Sequence, residues 1–237
     1  MLTIVTKLTG KLRRFIKAKI LRDADAIEFR RWFTDRGDER LRLNYNDLNP
    51  ESVVFDIGGY KGDFAYQINM KYDCLVYIFE PHPAYFAQCV ERFASNPKVK
   101  VLNYGVSNQD SKLRLIESAD GSSFHNDQLK HDNTVECYVR EFFGVVKELE
   151  VTNIDLMKIN IEGGEFPLLE HLSTLNNFNF VTNYQIQFHK FYPNAIASRN
   201  EITRILSMTH TRLWCYEFVW ESWSLKHDGV GGKCRNE

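Results

Sequence analysis

The chain has 237 residues, 43% of them hydrophobic, which is enough to bury one substantial core, so one domain with an appendage is expected. A formal net charge of −1 gives no whole-molecule attraction to nucleic acid, and no nucleic-acid partner is expected. Five widely spaced cysteines form no CxxC pair and no Cys/His cluster, which argues against a zinc site and against a disulfide framework.

Residues 2–21 place apolar side chains at intervals of mostly three and four, with a basic opposite face, which predicts an amphipathic helix. Two interpretations stay open: residues 1–22 attach peripherally to anionic lipid, or the helix packs on the domain or on a second subunit, so a homo-oligomer is compatible with the sequence. No apolar run approaches the roughly 18 residues that a membrane span needs, and no cleavable signal is recognisable. We therefore expect a cytoplasmic location, peripheral on the inner face of the membrane if the helix binds lipid.

A second helix is predicted at residues 24–34, which completes a helical N-terminal segment over residues 1–48. Strands are then predicted at residues 53–56, 74–79, 98–104, 112–116, 154–161, 178–188, 212–219 and 220–225, and helices at 63–71, 83–94, 140–150, 166–172 and 198–208. The strand at 112–116 and the last two strands read as antiparallel. This alternation predicts an α/β domain over residues 49–226, with a mainly parallel sheet, helices on both faces and ligand at the carboxyl ends of the strands. Residues 227–237 are predicted as a disordered tail.

The first strand of the domain ends in an acid, Asp56, and a glycine-rich turn follows at Gly58, Gly59 and Gly62. Glycine lets the backbone approach a ligand closely and adopt positive φ. The spacing differs from the dinucleotide fingerprint G-x-G-x-x-G, which cradles a pyrophosphate. An acid ahead of the turn would repel a pyrophosphate but could pair with a cationic or ammonium-bearing ligand.

Glu80 stands at the end of the second predicted strand, where a carboxylate can accept hydrogen bonds from both hydroxyls of a ribose. S-adenosylmethionine carries a ribose, a sulfonium and an amino acid moiety, so it fits the acids Asp56 and Glu80 better than NAD does. An NAD-dependent nucleotide-sugar oxidoreductase or epimerase is the alternative, and the missing G-x-G-x-x-G and YxxxK patterns count against it.

Five motifs follow one another along roughly residues 50–190: VFDIGGYKGDFA, YIFEPHP, NYGVSNQDSKLRL, a GSS loop, and DLMKINIEGGEFPLLEHL. In this order they resemble the FkbM family of S-adenosylmethionine-dependent methyltransferases. The resemblance implies a class I, Rossmann-like methyltransferase fold with a mainly parallel seven-stranded sheet. It also implies O-methylation, commonly of sugar or polyketide hydroxyls, with S-adenosylhomocysteine as the product. The expected partner is a carbohydrate, either in a polysaccharide or in a glycosylated small molecule.

The resemblance also assigns roles to positions of this sequence. The residues that match cofactor-binding positions of the family are Asp56, Gly58, Gly59, Gly62, Glu80, Asn103, Gly105, Val106, Ser122 and Ser123. Among them Asp56 and the first three glycines match the turn that binds S-adenosylmethionine, and Glu80 matches the acid that binds its ribose. Residues 103–106 match a segment near the adenine, and the two serines match a loop that borders the cofactor.

The family signature K-x-D-x-E-G-x-E is matched by Lys158, Asn160, Glu162, Gly163 and Glu165, with Asn160 in place of the usual aspartate. Acids at this strand end hold a divalent metal in related sugar O-methyltransferases, and an amide is a poorer ligand for a hard cation. At most a weak Mg²⁺ site remains, so no metal is assigned. Asn160 can still hydrogen-bond the substrate or the amino acid end of the cofactor. The same departure keeps a non-catalytic scaffold of this fold as a further alternative.

A sugar hydroxyl is a weak nucleophile, so methyl transfer benefits from a general base with a pKa near 7. His189 follows the predicted strand at 178–188, at the same sheet edge as Glu162, and is predicted as that base. In the alternative interpretation, His189 is a structural residue that caps the strand, and Glu162 is the base. Lys158 and Glu165 are predicted as residues that either orient the catalytic group or are structural.

An aromatic cluster lies near the end of the domain and consists of Trp214, Tyr216, Phe218, Trp220 and Trp223. Alternation puts the first four on one face of the sheet, which predicts core. The alternative is that Trp220 or Trp223, together with Glu221, lines a carbohydrate pocket, with Tyr192 and Trp32 as weaker candidates.

Overall fold

The computed structural model describes residues 24–116, 123–124, 134–175 and 177–226. The amphipathic helix predicted at residues 2–21 and the tail predicted at residues 227–237 lie outside these residues. Within the described part of the chain, no helix is long and apolar enough to cross a bilayer.

The strands of the main sheet and the helices between them follow one another in the alternation that the sequence predicts. The helices are α1 (Ala24–Thr34), α2 (Gly37–Arg40), α3 (Asp63–Tyr72), α4 (Pro83–Arg92), α5 (Phe142–Glu148), α6 (Glu165–Thr174) and α7 (Ala195–Thr209). The strands are β1 (Val53–Ile57), β2 (Leu75–Phe79), β3 (Val99–Leu102), β4 (Gly105–Ser107), β5 (Ser111–Ile116), β6 (Ser123–Phe124), β7 (Thr134–Glu141), β8 (Ile154–Ile159), β9 (Val181–Ile186), β10 (His210–Tyr216) and β11 (Trp220–Leu225). A 3₁₀ turn at Phe178–Phe180 precedes β9, so that strand begins later than predicted.

Seven strands form the main sheet in the order β10-β11-β9-β8-β1-β2-β3. All neighbours from β3 to β9 pair in parallel, and β11 is antiparallel to both of its neighbours. This confirms the predicted mainly parallel seven-stranded sheet. Because β1 and β8 are neighbours with Ile57 opposite Ile159, the turns that follow them meet at one edge of the sheet.

A second, four-stranded sheet in the order β4-β7-β5-β6 was not predicted from the sequence. Its β5 is the antiparallel strand predicted at residues 112–116, and it pairs with β7. The helix predicted at residues 140–150 begins only at Phe142, because the chain is still in β7 as far as Glu141. The Glu141 side chain then caps α5 by accepting the backbone N–H groups of Phe143 and Gly144.

The central strands are buried on both faces, as their apolar sequences predict. At the far edge of the sheet, Trp32 of α1 packs against Trp214 and Tyr216, with ring centroids 5.7 and 5.1 Å apart. Most of the aromatic cluster is therefore core, but Phe218 lies in the turn between β10 and β11, outside the predicted alternation. Trp220 is buried in the same cluster as Trp32 and Tyr216, and Trp223 is buried in the main core, so the burial of both favours core packing over a carbohydrate pocket.

Candidate active site

A cavity of about 970 Å³ opens at the carboxyl ends of the parallel strands, against the second sheet. Sites for small molecules span about 300–1,000 Å³, so this volume suits a cofactor together with an acceptor. One part, which we call the glycine-turn half, is bordered by Gly58, Glu80 and strand β4. The other part, which we call the Glu162 half, is bordered by Asn160, Glu162 and the loop after β9.

The glycine turn packs between the ends of β2 and β8. Gly58 has φ +80°, and a Cβ atom there would lie 2.0 Å from the carbonyl oxygen of Asn160, so the position demands glycine. An added Cβ atom would likewise collide with the side chain of Ile78 at Gly59 and with that of Phe93 at Gly62. Backbone therefore approaches the cavity at the place where the sequence predicts the cofactor.

Asp56 does not face the cavity. It lies opposite Lys158 in the register of β1 and β8, and its Oδ1 accepts a hydrogen bond from Lys158 Nζ at 2.8 Å. The ammonium also donates to the carbonyl oxygen of Gly58 at 2.6 Å. Burial lowers the pKa of Lys158, and the charge of Asp56 opposes that shift.

This pair changes the predicted role of Asp56. Asp56 already has an ammonium partner within the chain, so the structure contradicts its direct pairing with a cationic ligand. The physical reason is the strand register, which turns both side chains into the core. Lys158, predicted as an orienting or structural residue, donates to the carbonyl oxygen of Gly58 and so supports the glycine turn.

Glu80 borders the glycine-turn half, and both of its oxygens are held by the backbone. Oε2 accepts the N–H of Tyr60 at 2.7 Å, and Oε1 accepts the N–H of His82 at 2.9 Å. Burial raises the pKa of Glu80 to about 7, against the opposing effect of these two hydrogen bonds. Each oxygen keeps a further lone pair, so the carboxylate can still accept hydrogen bonds from a ribose.

The other predicted cofactor residues divide into three groups. Gly105 and Val106 of β4 border the cavity. Asn103 is exposed and donates to the carbonyl oxygen of Glu80 at 3.1 Å, so it holds the strand end. Ser122 lies outside the described residues, and of Ser123 only its place in β6 is described.

The turn after β8 aims an acid into the Glu162 half. Glu162 has φ +52° and Gly163 φ +102°, a left-handed pair that a non-glycine residue adopts only at a cost of about 1–3 kcal/mol. Asn160 also borders this half, and its Oδ1 is buried with no hydrogen-bond partner among the described residues. Asn160 and Glu162 thus both belong to the lining of this half.

His189 lies behind Glu162. Its backbone N–H and its ring Nδ1 lie 2.8 and 3.0 Å from Glu165 Oε1, and its Nε2 lies 3.6 Å from Glu162 Oε1. Burial lowers the pKa of His189, but the hydrogen bond and charge of Glu165, with the charge of Glu162, raise it above its ordinary value. Of the two predicted bases, Glu162 is the one that borders the cavity.

Sequence reasoning missed three of the aromatic side chains around the cavity, although it had named a fourth, Tyr192, as a weaker candidate for a carbohydrate pocket. Tyr60 and Tyr85 border the glycine-turn half with ring centroids 4.4 Å apart, and Phe191 borders the Glu162 half beside Tyr192. Tyr60 stands inside the glycine turn, which is the signal that could have revealed it. Among the described residues, no group of three or more His, Cys, Asp or Glu side chains could hold a metal ion.

A sequence profile of the methyltransferase FkbM domain matches residues 56–213. The chain belongs to the FkbM methyltransferase family. The predicted family is thereby confirmed, S-adenosylmethionine is the cofactor, and the NAD-dependent alternative is wrong. No curated protein sequence matches the chain.

Solved structures of similar fold share little sequence with this FkbM-family chain. The methyltransferase FkbM from Methylobacillus flagellatus is 11% identical, with a TM-score of 0.49 over 79% of this chain and 46% of that one. A fibrillarin/Nop5p complex is 11% identical, with a TM-score of 0.50 over 83% and 82% of the two chains. The chain therefore spans about half the length of the M. flagellatus protein. At such identities the likeness shows the fold, which is that of the class I methyltransferases.

Proposed function

We propose that this FkbM-family chain is an O-methyltransferase that acts on a sugar hydroxyl in a glycan or in a glycosylated metabolite. The observation that carries the proposal is the position of Glu162. Its carboxylate borders the same cavity as the glycine turn and Glu80, so a proton acceptor and a cofactor half-site share one space.

The residues of the glycine-turn half fit S-adenosylmethionine. Gly58 brings backbone to the wall of the cavity, and Glu80 offers lone pairs to a ribose. The buried Oδ1 of Asn160, which has no partner among the described residues, suits an ammonium group. When bound, S-adenosylmethionine supplies an electrophilic methyl group and is released as S-adenosylhomocysteine.

Glu162 supplies the proton chemistry. The acceptor hydroxyl becomes strongly acidic as its oxygen forms the new bond, so a carboxylate at hydrogen-bond distance accepts the departing proton. The carboxylate side chain is 39% exposed, which leaves its oxygens accessible to an acceptor. The left-handed turn fixes its direction, and such positioning supplies several kcal/mol of the barrier in comparable reactions.

The aromatic wall of the Glu162 half suits a sugar. Phe191 is half-exposed beside Gly163, and Tyr192 stacks on Phe166 with centroids 4.2 Å apart. Aromatic faces pack well on the C–H faces of a pyranose, while neighbouring polar groups take its hydroxyls. This aromatic wall stands next to Glu162, where an acceptor hydroxyl would lie.

Incubation with radiolabelled S-adenosylmethionine and fractionated host glycans tests this function. We expect alkali-stable label in a carbohydrate fraction, with Glu162→Gln reducing transfer by roughly 10²-fold or more while S-adenosylhomocysteine binding persists. Glu148→Gln, a surface acid paired with Arg140, serves as the matched control and should transfer at the wild-type rate.

Two results would contradict the proposal. If Glu162→Gln transferred methyl groups at the wild-type rate, Glu162 would not be the proton acceptor. Cofactor binding without label in any carbohydrate fraction would favour the non-catalytic scaffold.

A further inference from the structure

A single buried carboxylate organises the Glu162 half. Glu165, the first residue of α6, is fully buried and accepts three N–H groups. Its Oε2 accepts the backbone N–H of Gly163 at 2.8 Å, which closes the turn that carries Glu162. Its Oε1 accepts the backbone N–H of His189 at 2.8 Å and lies 3.0 Å from the ring Nδ1. One side chain thus fixes both the Glu162 turn and the imidazole.

The orientation of His189 follows from these contacts. Because the anionic Glu165 accepts only hydrogen bonds, Nδ1 carries a proton and Nε2 is the nitrogen that faces Glu162. The imidazole is only 11% exposed and does not border the cavity, whereas the Glu162 carboxylate does. The ring therefore reaches an acceptor only through Glu162.

The charges around the ring favour its protonated form. Glu165 faces it from α6 and Glu162 from the turn after β8. The neighbouring Lys190 is paired with Asp25 at 2.6 Å and so is directed elsewhere. Two carboxylates around one imidazole stabilise the imidazolium, consistent with the raised pKa of His189.

We propose that His189 is a protonated positioning residue that holds the Glu162 carboxylate toward the acceptor, and that Glu165 fixes the ring for this task. The proposal rests on the proposed function, in which Glu162 accepts the proton. It reverses the role that the sequence suggested for His189, that of the base. The two roles predict opposite pH dependence: a base must lose its proton to act, whereas this ring must keep it.

Nuclear magnetic resonance of ¹⁵N-histidine-labelled protein bound to S-adenosylhomocysteine tests the charge state without any acceptor, with His189→Gln assigning the signal. We expect the His189 ring to titrate above the ordinary value of about 6.5, and its midpoint to fall in Glu162→Gln. A midpoint at or below 6.5, or one that Glu162→Gln leaves unchanged, overturns the proposal. Because Glu162 lies in a partly exposed turn, this variant is expected to fold.

The pH dependence of methyl transfer tests the role, with radiolabelled S-adenosylmethionine and a labelled glycan fraction as acceptor. We expect kcat to fall as the pH rises through the His189 midpoint. His189→Gln should lower kcat on the order of tenfold, with little change in KM, and lose that alkaline fall. His171→Gln is the matched control, because His171 also pairs with a glutamate, Glu141 at 2.8 Å, away from the cavity.

A kcat that rises through the His189 midpoint identifies the ring as the base and overturns the proposal. So does an unchanged profile in His189→Gln. If no glycan is methylated, the proposed function fails, yet the resonance titration still decides the charge of His189.

Discussion

Replacing Lys158 with methionine removes the ammonium group that neutralises Asp56 beneath the glycine turn. Methionine retains much of the aliphatic volume but cannot donate a hydrogen bond. Asp56 Oδ1 would lose its contact at 2.8 Å, and Oδ2 already has no hydrogen-bond partner among the described residues. The carbonyl oxygen of Gly58 would lose its donor as well.

The two side chains are 5% and 0% exposed, so solvent offers no substitute for the lost partner. Breaking such a buried pair costs about 3–5 kcal/mol. In a domain of this size each kcal/mol moves Tm by about 2–4 °C, so we expect a fall of roughly 6–20 °C. The double variant Asp56→Asn/Lys158→Met leaves no buried charge and should be more stable than the two single losses combined predict.

The changes in Tm and in the free energy of unfolding are measured by calorimetry and urea unfolding. Both methods are applied to the wild type, both single variants and the double variant. Lys98→Met is the matched control, because Lys98 contacts Asp73 at 2.7 Å with both side chains exposed and should cost at most about 1 kcal/mol. Titration with S-adenosylhomocysteine at low temperature, where the variants stay folded, should show weaker binding by Lys158→Met. A loss no larger than that of Lys98→Met, or strict additivity in the cycle, would refute the reasoning.

Three further predictions concern the cofactor turn and the N-terminal segment. Burial raises the pKa of Glu80 from about 4.5 to about 7, so its contribution to stability is complete below pH 4.5 and is lost as the pH rises through 7. Glu80→Gln should therefore remove this pH dependence from the urea unfolding midpoint. It should also weaken S-adenosylhomocysteine binding about 10-fold or more. Gly58→Ala should abolish that binding in calorimetry, whereas Gly144→Ala, whose added Cβ meets nothing nearer than 3.4 Å, should not. Removal of residues 1–22 should reduce co-sedimentation with anionic liposomes, and equal partitioning would reject lipid attachment.

The fold was predictable because its signals are local. The apolar run of β1 and the glycines that follow it carry their own conformational preferences, and the proline at the start of α4 marks a helix N-terminus. The second sheet was harder, since β7 alternates polar and apolar residues and runs directly into α5. Its signal was the alternation of Val135, Cys137 and Val139, which was masked by the helical pattern that follows.

The partners within the site depend on register rather than on local sequence. Asp56 reads as an open acid until β8 places Lys158 opposite it, across 102 residues of chain. In the same way, the sequence placed His189 and Glu162 at one edge of the sheet but gave no sign of which side chain would face the cavity. That choice follows from Glu165, whose three N–H contacts come from two separate loops.

The contact between the glycine turn and the end of β8 also bears on the order of assembly during synthesis. Gly58 packs against the carbonyl oxygen of Asn160 and is held by Lys158, 100 residues further along the chain. Closing so long a segment is slow compared with forming a helix or hairpin. A nascent chain that ends before β8 therefore contains every glycine of the turn and its contacts with β2 and Phe93, but lacks the contacts with Lys158 and Asn160. Cofactor binding by this protein is thus a readout of completed assembly rather than of its N-terminal half.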